Sequence, residues 1–195
     1  MDKVIFLFTR KDGTTREEFF EHYLDVHSLL GMRLCTKMDG YTVNLTDEYR
    51  PGDDGPDAIT EVWTEDVDAF LDPKRSFASE ADMIELWTDD RSFIGPSLPW
   101  VVEETLTRGD RPVGELRTRT PGVKRVSMWI GDRRPESGPA VTRVVEQRVV
   151  RALAPDAPEV DVFVTEWAPS VDDLAAVDVP AYVVSEYRQR DAFTT

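Results

Sequence analysis

Residues 3–30, KVIFLFTRKDGTTREEFFEHYLDVHSLL, contain the change of period that decides the fold. KVIFLFTR (3–10) is a short, nearly continuous apolar run, the pattern of a buried strand. KDGTT then supplies a turn glycine and a threonine cap; Thr14 with Glu17, or Thr15 with Glu18, fits a capping box. From Arg16 to about Cys35 the apolar residues recur at helical spacing. A strand thus runs straight into an amphipathic helix.

Further along, GYTVNLTDE (40–48) alternates as a half-buried strand. A loop rich in Pro, Gly and Asp, YRPGDDGPD (49–57), leads to a further strand, AITEVWTE (58–65). Residues 66–95 read as a helical region interrupted near Pro73, and PWVVEETLT (99–107) as a strand. Strand, helix, strand, strand, helix, strand is the ferredoxin-like order of an α+β fold. This unit is expected to span residues 1–106. Residues 107–122 carry Gly, Pro and charge without an apolar period and read as a linker.

Residues 123–195 read as a shorter, degenerate ferredoxin-like half. Expected there are a strand VKRVSMWI (123–130), a helix GPAVTRVVEQRVVRALA (138–154) and strands EVDVFVTEWA (159–168) and AYVVSEYRQ (181–189). The second helix, a fourth strand and any histidine are missing from this expectation. The halves rhyme weakly: KVIFLFTR with RVSMWIGD, and ITEVWTEDVDAF with VVSEYRQRDAF, which sets Glu61 opposite Glu186. The rhyme leads to the expectation that the two halves pair within one chain as a pseudo-dimer, with homodimerisation open in addition.

Composition narrows the function. Hydrophobic residues at 41% and charged residues at 31% suit a globular chain with a core. A net charge of −15 repels phosphate backbones and anionic membranes, which argues against nucleic-acid and membrane partners. No apolar run reaches spanning length and no leader pattern opens the chain, so a cytoplasmic location is expected. The single cysteine, Cys35, cannot form an internal disulfide and is expected to pack. Phosphate-binding loops, nucleophile elbows, zinc patterns and dinucleotide fingerprints are all missing, so neither cofactor nor metal is expected.

Both histidines, His22 and His27, fall on the first helix. At 100° per residue they stand about 140° apart, with His27 inside the apolar arc and His22 at its edge. That separation argues against a shared metal and for two imidazoles bordering one cavity from different directions. Imidazole gives and takes protons near neutral pH. On the strand at 57–63, alternation sets Asp57, Glu61 and Trp63 on one face, a polar set on a strand that reads as buried. Glu61 is a candidate to orient a histidine. Tyr41 is a candidate donor to an oxyanion, with Tyr23 and Asn44 as further contacts. Trp63, Phe77, Trp87 and Phe93 are candidate aromatic walls, although aromatic sets at such spacing are commonly plain core.

Residues 1 to about 105 resemble an EthD domain of the dimeric α/β-barrel superfamily. The resemblance rests on ordered motifs: the strand and the R-E-E-F…H-Y-x-x-V-H helix at Arg16, Glu17, His22, Tyr23 and His27; GYTVN at Tyr41 and Asn44; DAITEVW at Asp57, Glu61 and Trp63; TDDRSFI at Asp89 and Phe93; and WVVEE. It implies two ferredoxin-like sheets paired into a barrel, here closed within one chain by the second half, and a pocket between sheet and helices. It also implies a cofactor-free isomerase, cyclase, dehydratase or decarboxylase acting on a polyketide-like or lactone-like metabolite. In that reading His27 and His22 carry the proton transfer, and Glu61 and Tyr41 orient or stabilise. A cofactor-free monooxygenase and a non-catalytic binding protein stand as alternatives.

Overall fold

The computed structural model describes residues 1–47, 55–111, 115–131 and 136–192. Strands β1 (Asp2–Arg10), β2 (Gly40–Thr46), β3 (Ala58–Thr64) and β4 (Ile94–Arg108) come from the first half of the chain. β5 (Val123–Trp129), β6 (Arg143–Ala152), β7 (Val162–Ala168) and β8 (Ala181–Arg190) come from the second. All eight close into one barrel in the order β1-β3-β2-β8-β5-β7-β6-β4, with every neighbouring pair antiparallel. The first half reads β4-β1-β3-β2 around the wall and the second β8-β5-β7-β6, the same order strand for strand. The loop expected at 49–57 falls mostly outside the described residues.

Helices accompany the first half. α1 (Arg16–His22) passes through a π-helical turn (Tyr23–His27) into α2 (Ser28–Leu34); α3 (Val67–Leu71), α4 (Pro73–Ser76) and α5 (Glu80–Phe93) follow β3. The Thr15/Glu18 capping box starts α1, with Thr15 Oγ1 accepting from the Glu18 amide at 3.2 Å and Glu18 accepting from the Thr15 amide at 2.8 Å. Strand alternation then divides the sheet into two faces. Outward, Phe6, Phe8, Tyr41, Val43, Ala58 and Val62 pack against Phe19, Tyr23 and Phe93 of the helical layer. Inward, Ile5, Leu7, Ile59 and Trp100 meet Val126, Phe163 and Val184 from the second half.

Two expectations for the second half give way. The segment expected as a helix at 138–154 contains strand β6. Its valines at 141, 144, 145, 149 and 150 fit a helical stripe equally well, but they are β-branched, and the slot they fill lies between β7 and β4. The second half also has its fourth strand, so all four are present and, among its described residues, no α-helix accompanies them. The segment read as a linker is partly built into the barrel wall. The Arg117 and Thr120 amides donate to the carbonyls of Arg188 (2.6 Å) and Glu186 (2.8 Å) beside β8.

Register also corrects the internal rhyme. Lys3 stands opposite Trp63, and Lys124 opposite Trp167, so β7 rather than β8 takes the place of β3. Counting along these registers, Lys3 corresponds to Lys124, Glu104 to Glu186, Asn44 to Gln147, and Glu61 to Thr165. The earlier match of Glu61 to Glu186 joined strands of different position.

Candidate functional site

The π turn rearranges the histidines. The Ser28 amide donates to the Tyr23 carbonyl, five residues back instead of four, and in such a turn residues five apart stack on one face. His22 and His27 are five apart. The 140° separation expected of a straight α-helix is therefore closed, and both imidazoles reach one carboxylate on α5. His22 Nε2 lies 2.7 Å from Asp89 Oδ1, and His27 Nδ1 lies 2.9 Å from Asp89 Oδ2. Phe93, one turn further along α5, packs under both rings at 4.5 and 5.1 Å between centroids.

His22 stays on the rim, about one-third exposed, whereas His27 is buried. His27 lines a cavity of about 240 Å³ between the helical layer and the outer face of β1, β2 and β3. Phe6, Phe8, Met38, Val62, Phe70 and Trp87 give that cavity apolar walls. Its polar groups are few: His27, Asp90, Tyr23, Tyr41, Thr60, Cys35 and Ser76.

The two phenols form a chain. Tyr23 hydrogen-bonds Thr60 Oγ1 and Tyr41, and burial pushes both phenols well above their ordinary pKa. They therefore remain protonated donors at neutral pH. Burial pushes the Asp89 carboxyl up, but the hydrogen bonds from His27 and His22 outweigh it and hold the group below its usual value. Asp90 sits 3.4 Å from His27 Nδ1, and there burial prevails and raises the carboxyl. Two consecutive aspartates thus meet one imidazole with their carboxyls displaced in opposite directions.

The structure brings together His27, Tyr23, Tyr41, Phe77 and Trp87 around the cavity, with His22 and Phe93 beside it. It places the other expected site residues elsewhere. Glu61, Asn44 and Trp63 point through the sheet into the barrel. There Glu61 is held by Lys3, Lys124, Asn44 and Gln147, and Lys3 lies 4.3 Å from the Trp63 ring. Glu61 consequently cannot orient His27; Asp89 does. The parity argument identified a polar face on β3 correctly, but that face looks into the barrel. Asp57 caps the end of β1, accepting from the Arg10 amide at 2.7 Å and pairing with its guanidinium. Cys35 packs, as expected, 3.0 Å from Ser76 Oγ. Asp90 and Thr60 were not anticipated, and Asp89 entered only as part of a motif. The signal for Asp89 was its place four residues before Phe93, hence on the same helix face.

Among the described residues no group of three or more His, Cys, Asp or Glu side chains is placed to share a metal ion, and no helix is long and apolar enough to cross a membrane. None of the curated proteins matches the sequence. An anthrone oxidase-like protein has a similar structure at 8% identity, covering 98% of this chain and 94% of that one with a TM-score of 0.51. A variant chlorite dismutase from Candidatus Nitrospira defluvii aligns over 95% of this chain and 90% of that one at 10% identity and a TM-score of 0.43. The first of these supports the closed barrel as a known fold. Residues 11–93, which contribute β2, β3 and every α-helix around the histidine cavity, match the family model of the EthD domain.

Proposed function

We propose that the protein is a cofactor-independent enzyme that moves a proton on a small, flat, oxygenated metabolite of polyketide-like or lactone-like character. The product would be that of an isomerisation, cyclisation, dehydration or decarboxylation. The observation that carries this reading is the Asp89–His27 pair at the edge of an apolar cavity. Asp89 takes the Nδ1–H of His27, which fixes the tautomer and leaves the Nε2 lone pair as the base. When Nε2 accepts a proton from carbon, the same carboxylate stabilises the imidazolium. The oxyanion that develops on the neighbouring carbonyl takes a hydrogen bond from the Tyr41–Tyr23 phenols. His22 steadies Asp89 from the rim, and Phe77 and Trp87 flank the substrate.

In this reading the chain is an intrachain pseudo-dimer, with residues 1–106 as the catalytic half and 123–195 as a degenerate copy that closes the barrel. The repeated strand order supports it, and a solution mass of a single chain is expected.

The test is proton–deuterium exchange, read by NMR, on a panel of flat 1,3-diketones and β-keto lactones in deuterium oxide. Wild type should accelerate exchange, and His27→Ala should lose about 10²- to 10⁴-fold of that rate while keeping its far-ultraviolet circular dichroism. Equal rates for the two would overturn the assignment. Removing a proton from an electron-rich ring is also the first step of cofactor-free oxygenation. Dioxygen uptake in the same incubation would identify that route.

A further inference from the structure

On the other face of the sheet, the polar end of the barrel interior contains a second void, of about 50 Å³. A single water needs roughly 10–15 Å³ of such space, so this one admits a small polyatomic molecule. Three buried groups beside it have no hydrogen-bond partner among the described residues: Arg143 Nε, Trp167 Nε1 and Glu186 Oε2. Arg143 and Glu186 are 8% and 4% exposed. Arg143 Cζ lies over the Trp167 indole, 3.2 Å from its centroid, and Arg143 Nη2 is 3.7 Å from Glu186 Oε1, beyond hydrogen-bond length. Buried polar groups are normally satisfied. Two donors and one acceptor left open around one void describe a missing molecule with the complementary set.

We propose that this void is a binding site for a small monoprotonated oxyanion of hydrogen-carbonate size. Its charged oxygens accept from Arg143 Nε–H and Trp167 Nε1–H, and its own O–H donates to Glu186. The charge pattern sets the ligand class. Five cationic side chains (Arg111, Lys124, Arg143, Arg188 and Arg190) and four carboxylates line the void, a local cationic excess in a chain of net charge −15. An anion is drawn to that place. Burial pulls the Arg143 guanidinium down despite the nearby carboxylates of Glu186, Glu61 and Glu104, so its charge is under-compensated. An oxyanion without a proton would face Glu186 oxygen to oxygen, whereas one O–H removes that repulsion. The site is also one-sided. The position of Arg143 on β6 corresponds to Gly40 on β2, where a side chain would strike Ala192.

The experiment is isothermal titration of the full chain in sealed cells, at constant mildly alkaline pH and ionic strength, with hydrogen carbonate, formate and nitrate. Saturable hydrogen-carbonate binding is expected, at least tenfold tighter than formate or nitrate, which are of similar size and lack the O–H. Trp167→Phe keeps a ring under Arg143, removes one donor and should weaken hydrogen carbonate about tenfold. Glu186→Gln should erase the preference over nitrate. No saturable binding to folded wild type, equal affinity for all three anions, or a Trp167→Phe isotherm identical to wild type overturns the site. So does a high-resolution crystal structure, grown with hydrogen carbonate, that shows only water in the void.

Discussion

The two halves of the barrel repeat one strand order and differ in what covers it. Inside, the repetition extends to side chains. Lys3 bonds Glu104 at 2.6 Å over Trp63, and Lys124 bonds Glu186 at 2.9 Å over Trp167. Asn44 and its counterpart Gln147 both donate to Glu61, at 2.9 and 3.3 Å. Outside, the first half carries the helices and the histidine cavity. The second has a short patch of Val141, Val144, Val162 and Val164 under Leu174 and Trp129, with an Arg125–Glu166 ion pair. The difference shows which face is shared. Closing a barrel buries the inner faces of all eight strands together, so both halves must supply complementary groups. The outer face has to match only the layer laid upon it, and one half can lose that layer without opening the wall.

The largest test lies where the inner repetition fails. Glu61 is shared by two buried lysines, whereas the hydroxyl of its counterpart Thr165 donates to Gln147 Oε1 at 3.1 Å. Glu61→Gln takes one of two carboxylates from each buried lysine, leaving Glu104 on Lys3 and Glu186 on Lys124. It should cost roughly 1.5–3 kcal/mol for each charge-assisted bond weakened, read by urea unfolding. Thr165→Val gives up one neutral hydrogen bond and should cost about 1 kcal/mol. Equal losses would break the idea that one asymmetric carboxylate ties the two halves together.

Acid should act on the same group. Burial pushes the carboxyls of Glu61, Glu104 and Glu186 up, but the lysines beside them prevail and hold each below its ordinary value. A carboxyl whose folded pKa is depressed stabilises the fold above its unfolded value of about 4.3, and that contribution is lost as pH falls toward the folded pKa. Melting temperature should therefore drop steeply below about pH 4.3, and less steeply in Glu61→Gln. Lys3 has the opposite sign. Burial lowers it, Glu61 and Glu104 more than restore it, and its contribution is lost only on the alkaline side, as pH rises through its raised folded pKa.

Much of the first half was legible because a nearly continuous apolar run gives way to a 3.6-residue apolar period between Arg10 and Arg16. The capping box at Thr15 and the inward His27 followed from the same residues. The π turn was not legible, since periodicity assumes a uniform rise and twist that one extra residue per turn disturbs. Strand parity placed Asp57, Ile59, Glu61 and Trp63 together but could not say which face met helices and which met another sheet. Lys3 and Lys124 stand at the edges of strand runs, where local sequence gives no sign of burial. Only barrel closure buries them, and closure depends on β4–β6 and β2–β8 contacts between residues far apart in sequence. The β6 misreading has the same origin, because valines at 141, 144, 145, 149 and 150 serve either period.

The smallest test sets two neighbours on the outer face against each other. Asp89 bonds both imidazoles and is held below its usual pKa, so its ionised form stabilises the fold above the unfolded value of about 3.9. Asp90 is raised by burial, with Asp89 adding to the rise and His27 opposing it. Its ionisation therefore works against the folded state as pH rises through the raised value. Asp89→Asn should lower the melting temperature at neutral pH. Asp90→Asn should raise it slightly, by an amount that vanishes in acid once the wild-type carboxyl is protonated. If both variants lower the melting temperature alike, Asp90 is a working partner of His27 in the resting protein. The division of labour between the two carboxylates, one anchoring the imidazole and one facing the cavity, would then have to be abandoned.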